Sequence, residues 1–215
     1  MNKTLSLILI CLILISCSDG DVVRSYWDNG NLKSELRYNE GLLDGDCCWY
    51  YHNGKPEMKA YYNDNVMEGE VLRWYENGNI QSRYYIKNDQ YDSIFESYNV
   101  FGNLIKVEHY KEGVLDGEYK QWYDSGKLFM EGQYKDGMLH GKWMMYYEGG
   151  AVGSVATYQN GAGVQKGYSP DGRLITEINY KDNVKDGEEI QYDRDGSVKK
   201  ILLWKSGKFV KIINK

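Results

Sequence analysis

Glycine recurs along this chain at Gly30, Gly54, Gly78, Gly102, Gly126, Gly150, Gly172 and Gly196, every step being 24 residues except one of 22 between Gly150 and Gly172. No long helix survives glycine at such intervals, and a fixed period of this length is the mark of a repeat architecture. Four residues before each glycine stands an aromatic: Tyr26, Tyr50, Trp74, Tyr98, Trp122, Tyr146, Tyr168 and Tyr192. Eight residues after it stand Tyr38, Tyr62, Ile86, Tyr110, Tyr134, Tyr158, Tyr180 and Trp204. The dipeptides Asn29-Gly30, Asn53-Gly54, Asn77-Gly78, Asp171-Gly172 and Asp195-Gly196 read as hairpin turns, because glycine accepts positive φ. A second turn follows eleven residues later, as at Glu112-Gly113, Asp136-Gly137, Asn160-Gly161 and Ser206-Gly207. Between the turns lie short runs of Tyr, Trp, Val, Ile and Leu. Each unit is therefore two antiparallel strands and two turns.

Composition agrees with half-wet strands. The 21 tyrosines and 6 tryptophans against 4 phenylalanines favour rings whose polar edge meets water or a hydrogen-bond partner. Two strands per unit at ~4.8 Å advance the array ~10 Å per repeat, so eight repeats predict a twisted rod or trough of roughly 75 Å. The stretch from Gly149 to Gly163 holds five glycines and lacks two residues, which predicts a bend or irregular turn there. In the fourth unit Ser93 replaces the leading glycine, Asn99 an aromatic and Phe101 the turn asparagine.

The pattern Gly-Glu/Lys-aromatic-x-x-aromatic-aromatic-x-Asn/Ser/Gly-Gly-x-Leu resembles the MORN repeat in its bacterial variant form. GEYKQWYDSGKL from Gly117 and GKWMMYYEGG from Gly141 match it best, and MLHGKW around His140 is similar to the His-Gly step of those units. The resemblance spans about residues 21 to 210. It implies an all-β fold: a linear array of antiparallel β-hairpins forming an elongated twisted sheet or trough. Bacterial proteins of this make-up resemble the YwqK-like antitoxin family, and MORN arrays are associated with protein scaffolding and lipid contact. A protein partner and a non-catalytic role are what the resemblance implies.

The first residues read as an export signal. Met1-Asn2-Lys3 is a positive start, and Leu5 to Ile15 is apolar. That run rises only ~17 Å as a helix, too short for a ~30 Å hydrocarbon core. It ends in Leu14-Ile15-Ser16-Cys17, which resembles the bacterial lipobox. The resemblance implies lipidation at Cys17, cleavage before it, and a chain held to the membrane by acyl groups. The domain reading is thus a signal peptide over 1–16, a short acidic linker over 17–20 and the repeat array over 21–215. Ser18 follows Cys17, and Ser18-Asp19-Gly20-Asp21 is similar to the acidic tract of surface-exposed lipoproteins. The expected location is the cell envelope, in the outer membrane, with surface exposure as its extension.

Charge and chemistry narrow the function. Residues 17 to 195 carry 19 basic and 31 acidic side chains, while 196 to 215 hold six lysines and no acid. An acidic body argues against nucleic acid as a partner. The basic end is either a docking tip or a lysine-guarded edge strand. His52, His109 and His140 fall at three different repeat positions, with no nucleophile signature and no metal-ligand spacing, so neither catalysis, metal nor cofactor is expected. Asp44, Glu68, Asp92, Asp116 and Asp186 share one column, as a cation-binding ladder or as residues that favour the turn beside them. Cys47 and Cys48 point to opposite faces, with Cys48 expected in the core and Cys47 free to pair between chains. Trp27, Tyr51, Tyr75, Tyr123 and Tyr147 form the candidate binding surface. Either this ladder is exposed and holds a protein or a polysaccharide, or the sheet curls and covers both ladders.

Overall fold

The computed structural model describes residues 20–213, so the signal segment and Cys17 lie outside it. The chain forms a single sheet of eighteen strands. They begin with β1 (Asp21–Tyr26), β2 (Leu32–Asn39), β3 (Leu42–Leu43), β4 (Gly45–Tyr50), β5 (Pro56–Asn63) and β6 (Val66–Trp74). β7 (Ile80–Lys87), β8 (Gln90–Tyr98), β9 (Leu104–Lys111), β10 (Val114–Trp122), β11 (Leu128–Lys135) and β12 (Met138–Tyr146) continue the series. β13 (Val152–Gln159), β14 (Ala162–Tyr168), β15 (Leu174–Lys181), β16 (Val184–Tyr192), β17 (Val198–Lys205) and β18 (Lys208–Ile213) complete it. Each strand pairs antiparallel with its neighbours in sequence, β3 and β4 sharing β2. The sheet is an open meander, and no helix occurs among the described residues.

Two kinds of turn alternate. All eight glycines of the repeating column have φ between 79 and 96. Gly30 N–H donates to the Trp27 carbonyl at 3.0 Å and Trp27 N–H to the Asn31 carbonyl at 2.8 Å. Asn29 is not left-handed, so this is a three-residue loop with a type I turn closed by a glycine bulge, not the two-residue type I′ form that Asn-Gly favours. The type I′ turns are at the other edge. There both central residues have positive φ, from Glu40-Gly41 through Asp64-Asn65, Asn88-Asp89 and Asp182-Asn183 to Ser206-Gly207. Three of these lack glycine, which is why the sequence hides them. Asn and Asp tolerate this region better than other non-glycine residues.

A mid-strand bulge is the feature that sequence reading did not anticipate. On β10, Leu115 faces Tyr110 and Tyr119 faces Glu108, so three residues oppose His109 alone. The same shift occurs on β6, β8, β12 and β16. Left-handed residues mark it: Gly69, Ser93, Gly117, Gly141 and Gly187. A Cβ on Gly117, at φ +123, would lie 2.8 Å from the His109 Cβ. β14 has no bulge, and it pairs with β13 in unbroken register from Ser154↔Gly167 to Gln159↔Ala162. The two missing residues are therefore the bulge itself. The irregular turn expected between Gly149 and Gly163 is not formed: Gly150, Asn160 and Gly161 keep the left-handed form of their sisters, and this hairpin is paired without a register shift.

The core is one column of cross-strand pairs on one side of the sheet, called here the inner face. Cys47 faces Ala60, Val71 faces Tyr84, Tyr119 faces Gly132 and Trp143 faces Ala156. At Tyr119–Gly132 and Trp143–Ala156 a large residue stands opposite a small one, so the column fills there without a second layer. Cys47, Ala60 and Val71 are fully buried, and burying a valine is worth about 2 kcal/mol. A Cβ on Gly132 would fall 2.1 Å from the Trp143 ring. The indole N–H of Trp143 donates to the Gln133 carbonyl at 3.0 Å. The cysteine assignment is reversed: Cys47 is the core residue, while half-buried Cys48 faces Glu35 and Lys59. The left-handed Gly45 just before them resets the alternation.

Candidate functional site

The polar groups that recur with the repeat connect one unit to the next. The Trp27 indole N–H donates to the Tyr50 carbonyl at 3.0 Å. The hydroxyls of Tyr51, Tyr75, Tyr123 and Tyr147 donate to the carbonyls of Trp74, Tyr98, Tyr146 and Tyr168 at 2.6, 2.8, 2.8 and 2.8 Å. These five residues, the sequence's candidate surface, are all half-buried. They lie in one row along the three-residue turns of the inner face. Their polar atoms serve the neighbouring repeat, so only parts of the rings are open to a ligand.

The acidic column has a comparable role. Asp116 accepts the Asp136 N–H at 3.0 Å, Asp186 the Ser206 N–H at 2.9 Å, Glu68 the Asn88 N–H at 3.3 Å and Asp92 the Glu112 N–H at 3.4 Å. Each carboxylate caps the first N–H of the next type I′ turn. The Ser206 N–H and, more weakly, the Lys205 charge hold the Asp186 carboxyl below the usual range against the cost of burial. Asp44 differs, accepting the Asn39 side-chain amide at 3.3 Å. His140 takes the column's place in β12, and its Nδ1 is buried without a partner. Among the described residues no group of three or more His, Cys, Asp and Glu could hold a metal ion.

The histidines do not meet. His52 Nε2 lies 2.7 Å from Asp28 Oδ1 on an exposed turn, and this hydrogen bond holds the Asp28 carboxyl below its ordinary value. His109 donates its Nδ1–H to the Glu118 carbonyl at 2.9 Å, opposite the bulge.

A different constellation stands on the inner face at β6 to β9. The row beside the core column reads Met58, Arg73, Ser82, Ser97, Lys106, Gln121 across successive strands. Farther along, this row carries bulk at Met130 facing Met145 and small residues again at Ser154, Gly167 and Thr176. Here two serines leave a groove of about 540 Å³, lined by Arg73, Tyr75, Tyr84, Tyr91, Phe95 and Ile105 among others. Tyr84 stacks on Phe95 with centroids 5.1 Å apart and 11° between planes, and burial pushes its hydroxyl up. Lys106 pairs with Glu108 at 3.1 Å. Arg73 is exposed and takes part in none of the eleven ion pairs of the described residues.

The turn at the end of this hairpin departs from its sisters. Asn29, Asn53 and Asn77 each accept an N–H of their own turn and donate to the next repeat's carbonyl. Phe101 replaces that asparagine and is 78% exposed. Buried Asn99 rebuilds the turn: its Oδ1 accepts the N–H groups of Phe101 and Asn103 at 3.1 and 3.0 Å, and its amide donates to Asp124 at 3.1 Å. Sequence reading marked Asn99 and Phe101 as departures but not as a site. The pairing that brings Arg73 beside Ser82 and Ser97 was hidden by the bulge register.

These features define a single-layer β-repeat protein whose units are tied by side chain to backbone bonds. The MORN repeat variant profile matches residues 22–40, 43–64, 67–88, 115–136, 163–182 and 185–206, more than half of the chain, and the protein belongs to that family. Repeats of this kind are commonly non-catalytic modules that bind proteins or membranes. No curated protein matches the chain. The profile passes over 89–114, the unit that carries Phe101, and over 137–162.

Proposed function

We propose that this protein is a lipid-anchored, non-catalytic repeat protein of the cell envelope that holds a protein partner on its sheet. The observation that carries the reading is the open meander itself: a long sheet with no covering layer, whose recurring polar groups are engaged between repeats. Such a surface presents many side chains in fixed register. Membership of a repeat family that binds proteins or membranes supports it further. The Leu14-Ile15-Ser16-Cys17 sequence supports anchoring through Cys17. On this reading an antitoxin-like role is an immunity role, in which the partner is a toxin delivered from outside. A cytosolic toxin would be out of reach of an exported chain.

Membrane fractionation with radiolabelled palmitate tests the anchor. Wild type partitions with membranes and takes up label, and Cys17→Ala loses both; soluble, unlabelled wild type refutes it. For the partner, the products of neighbouring genes are mixed with the protein and their mass read by light scattering. A stoichiometric complex supports the reading, and its absence with all of them counts against it.

A further inference from the structure

The fourth hairpin, β8 to β9, carries more departures from the repeat than architecture requires. A turn asparagine would bond its own loop and the next repeat, as Asn77 does. Phe101 does neither with its side chain, and it adds nothing to the core at 78% exposure, beside Val100 at 44%. Yet the turn is held firmly. Asn99 bonds it from within, and the side-chain amides of Asn77 and Asn79 both donate to the Val100 carbonyl, at 2.7 and 3.0 Å. An exposed aromatic on a fixed turn loses little conformational freedom when it meets a partner.

The same hairpin lines the groove through Ser97 and Ile105, with Arg73 and Ser82 on the adjoining strands. In an otherwise acidic body Arg73 has no carboxylate partner among the described residues. The groove offers the exposed Arg73 guanidinium and the half-buried Ser97 hydroxyl to a carboxylate, above a buried Ser82, and its turn offers Phe101 and Val100 to an apolar side chain. Of the rings that line the groove, Tyr84 is 8% exposed and lies flat against Phe95, while the more open Tyr91, 39% exposed, stands across both at 72° and 81°.

We infer that the Phe101 turn and the Arg73 groove together form a docking site for an extended segment of a protein partner, one that pairs an apolar residue with Asp or Glu. The inference rests on the protein-binding reading above and gives it a place and a chemistry. Aromatic and arginine side chains are the groups that dominate protein interfaces when a partner desolvates them. The apolar side chain covers Phe101 and Val100, and the carboxylate takes the unpaired charge of Arg73.

The test is selection from a displayed random peptide library on the full-length protein in detergent, followed by binding of the best synthetic peptide. Enriched peptides combine an aromatic or aliphatic residue with an acid. Phe101→Asp weakens binding about tenfold or more, as loss of an interface anchor does. Arg73→Gln weakens it severalfold and flattens its salt dependence. Tyr61→Ser, a change at an exposed ring on the opposite face, leaves binding unchanged. Thermal melts of all three variants stay near wild type, since each side chain is exposed. Peptides whose binding ignores both groove substitutions overturn this site but leave the protein-binding reading standing. No enrichment at all overturns both. Binding of a hexauronate that requires Arg73, with no peptide enriched, overturns the inference in favour of an acidic saccharide.

Discussion

The hairpins β9–β10 and β13–β14 are built from the same unit, yet one has a bulge and the other does not. In β9–β10, Gly117 at φ +123 places three residues opposite His109. In β13–β14 the strands pair without interruption. A loss of two residues could have been absorbed in a turn, but both turns of the shorter unit keep their form, with Gly150 and Gly161 left-handed like their sisters. The bulge is thus the dispensable part of the repeat and the turns are not. The difference has a visible cost in reach. Asn183 extends past the turn at Gly161, donating to the Gly137 carbonyl and accepting the Leu139 N–H, both at 2.8 Å. At Glu68, Asp92, Asp116 and Asp186 the carboxylates beside the bulges connect neighbouring turns.

The comparison can be broken most severely at Gly132. In bulged β11–β12 the Trp143 ring lies over it, and Gly132→Ala is expected to destabilise by about 3 kcal/mol in chemical denaturation, because neither the ring nor the backbone can yield. The Ala156 column in β13–β14 already carries a Cβ, so Ala156→Gly would not mimic that effect. Gly117→Ala strikes the bulge itself and is expected to cost about 2 kcal/mol, from backbone strain and the His109 contact. A melt equal to wild type would show that the bulge relaxes freely. Asp116→Ala removes a turn cap without touching the backbone, at a cost of about 1 kcal/mol, with faster amide exchange at Asp136. Ser93→Gly should stabilise by a little under about 1 kcal/mol, since Ser93 holds φ 67 in a bulge where its counterparts are glycine.

The smallest effect at neutral pH is on the tyrosines. Burial, with Glu108 as the second cause, pushes Tyr110 and Tyr119 of the bulged hairpin up to about 12. The folded state thus keeps the protons that the unfolded chain releases from about pH 10. Their contribution is whole below about pH 10 and declines as pH rises to about 12. Tyrosinate absorbance should therefore rise with unfolding across that window. Ionisation completed near pH 10 while the circular dichroism stays native would show these rings to be open to water.

Much of this fold is legible in the sequence, because turn glycines and alternating aromatics obey local rules. The column from Gly30 to Gly196 sets every three-residue turn, and the aromatic before it sets the strand. The Cys47 and Cys48 assignment failed because alternation puts the two on opposite faces without saying which face is buried, and the left-handed Gly45 before them shifts the phase. The type I′ turns at Asp64-Asn65, Asn88-Asp89 and Asp182-Asn183 were obscured by the lack of glycine. The groove was out of reach for a deeper reason. Arg73, Ser82 and Ser97 come from three strands, and only the register fixed by the bulges aligns them. Phe101 was visible as an anomaly, but its exposure depends on Asn99 taking over the turn.

The hydroxyl of Tyr51 reaches forward to the repeat after it, while the backbone N–H of Gly113 reaches back to the Tyr91 carbonyl, at 2.8 Å. Units built this way carry a plug for the unit ahead and a plug for the unit behind. A gene segment duplicated in frame delivers a module whose connections are already complementary to its own copies. Lengthening such an array requires no invention at the new junction. A single divergent module, such as the one bearing Phe101, can then drift toward recognition while its neighbours keep the frame.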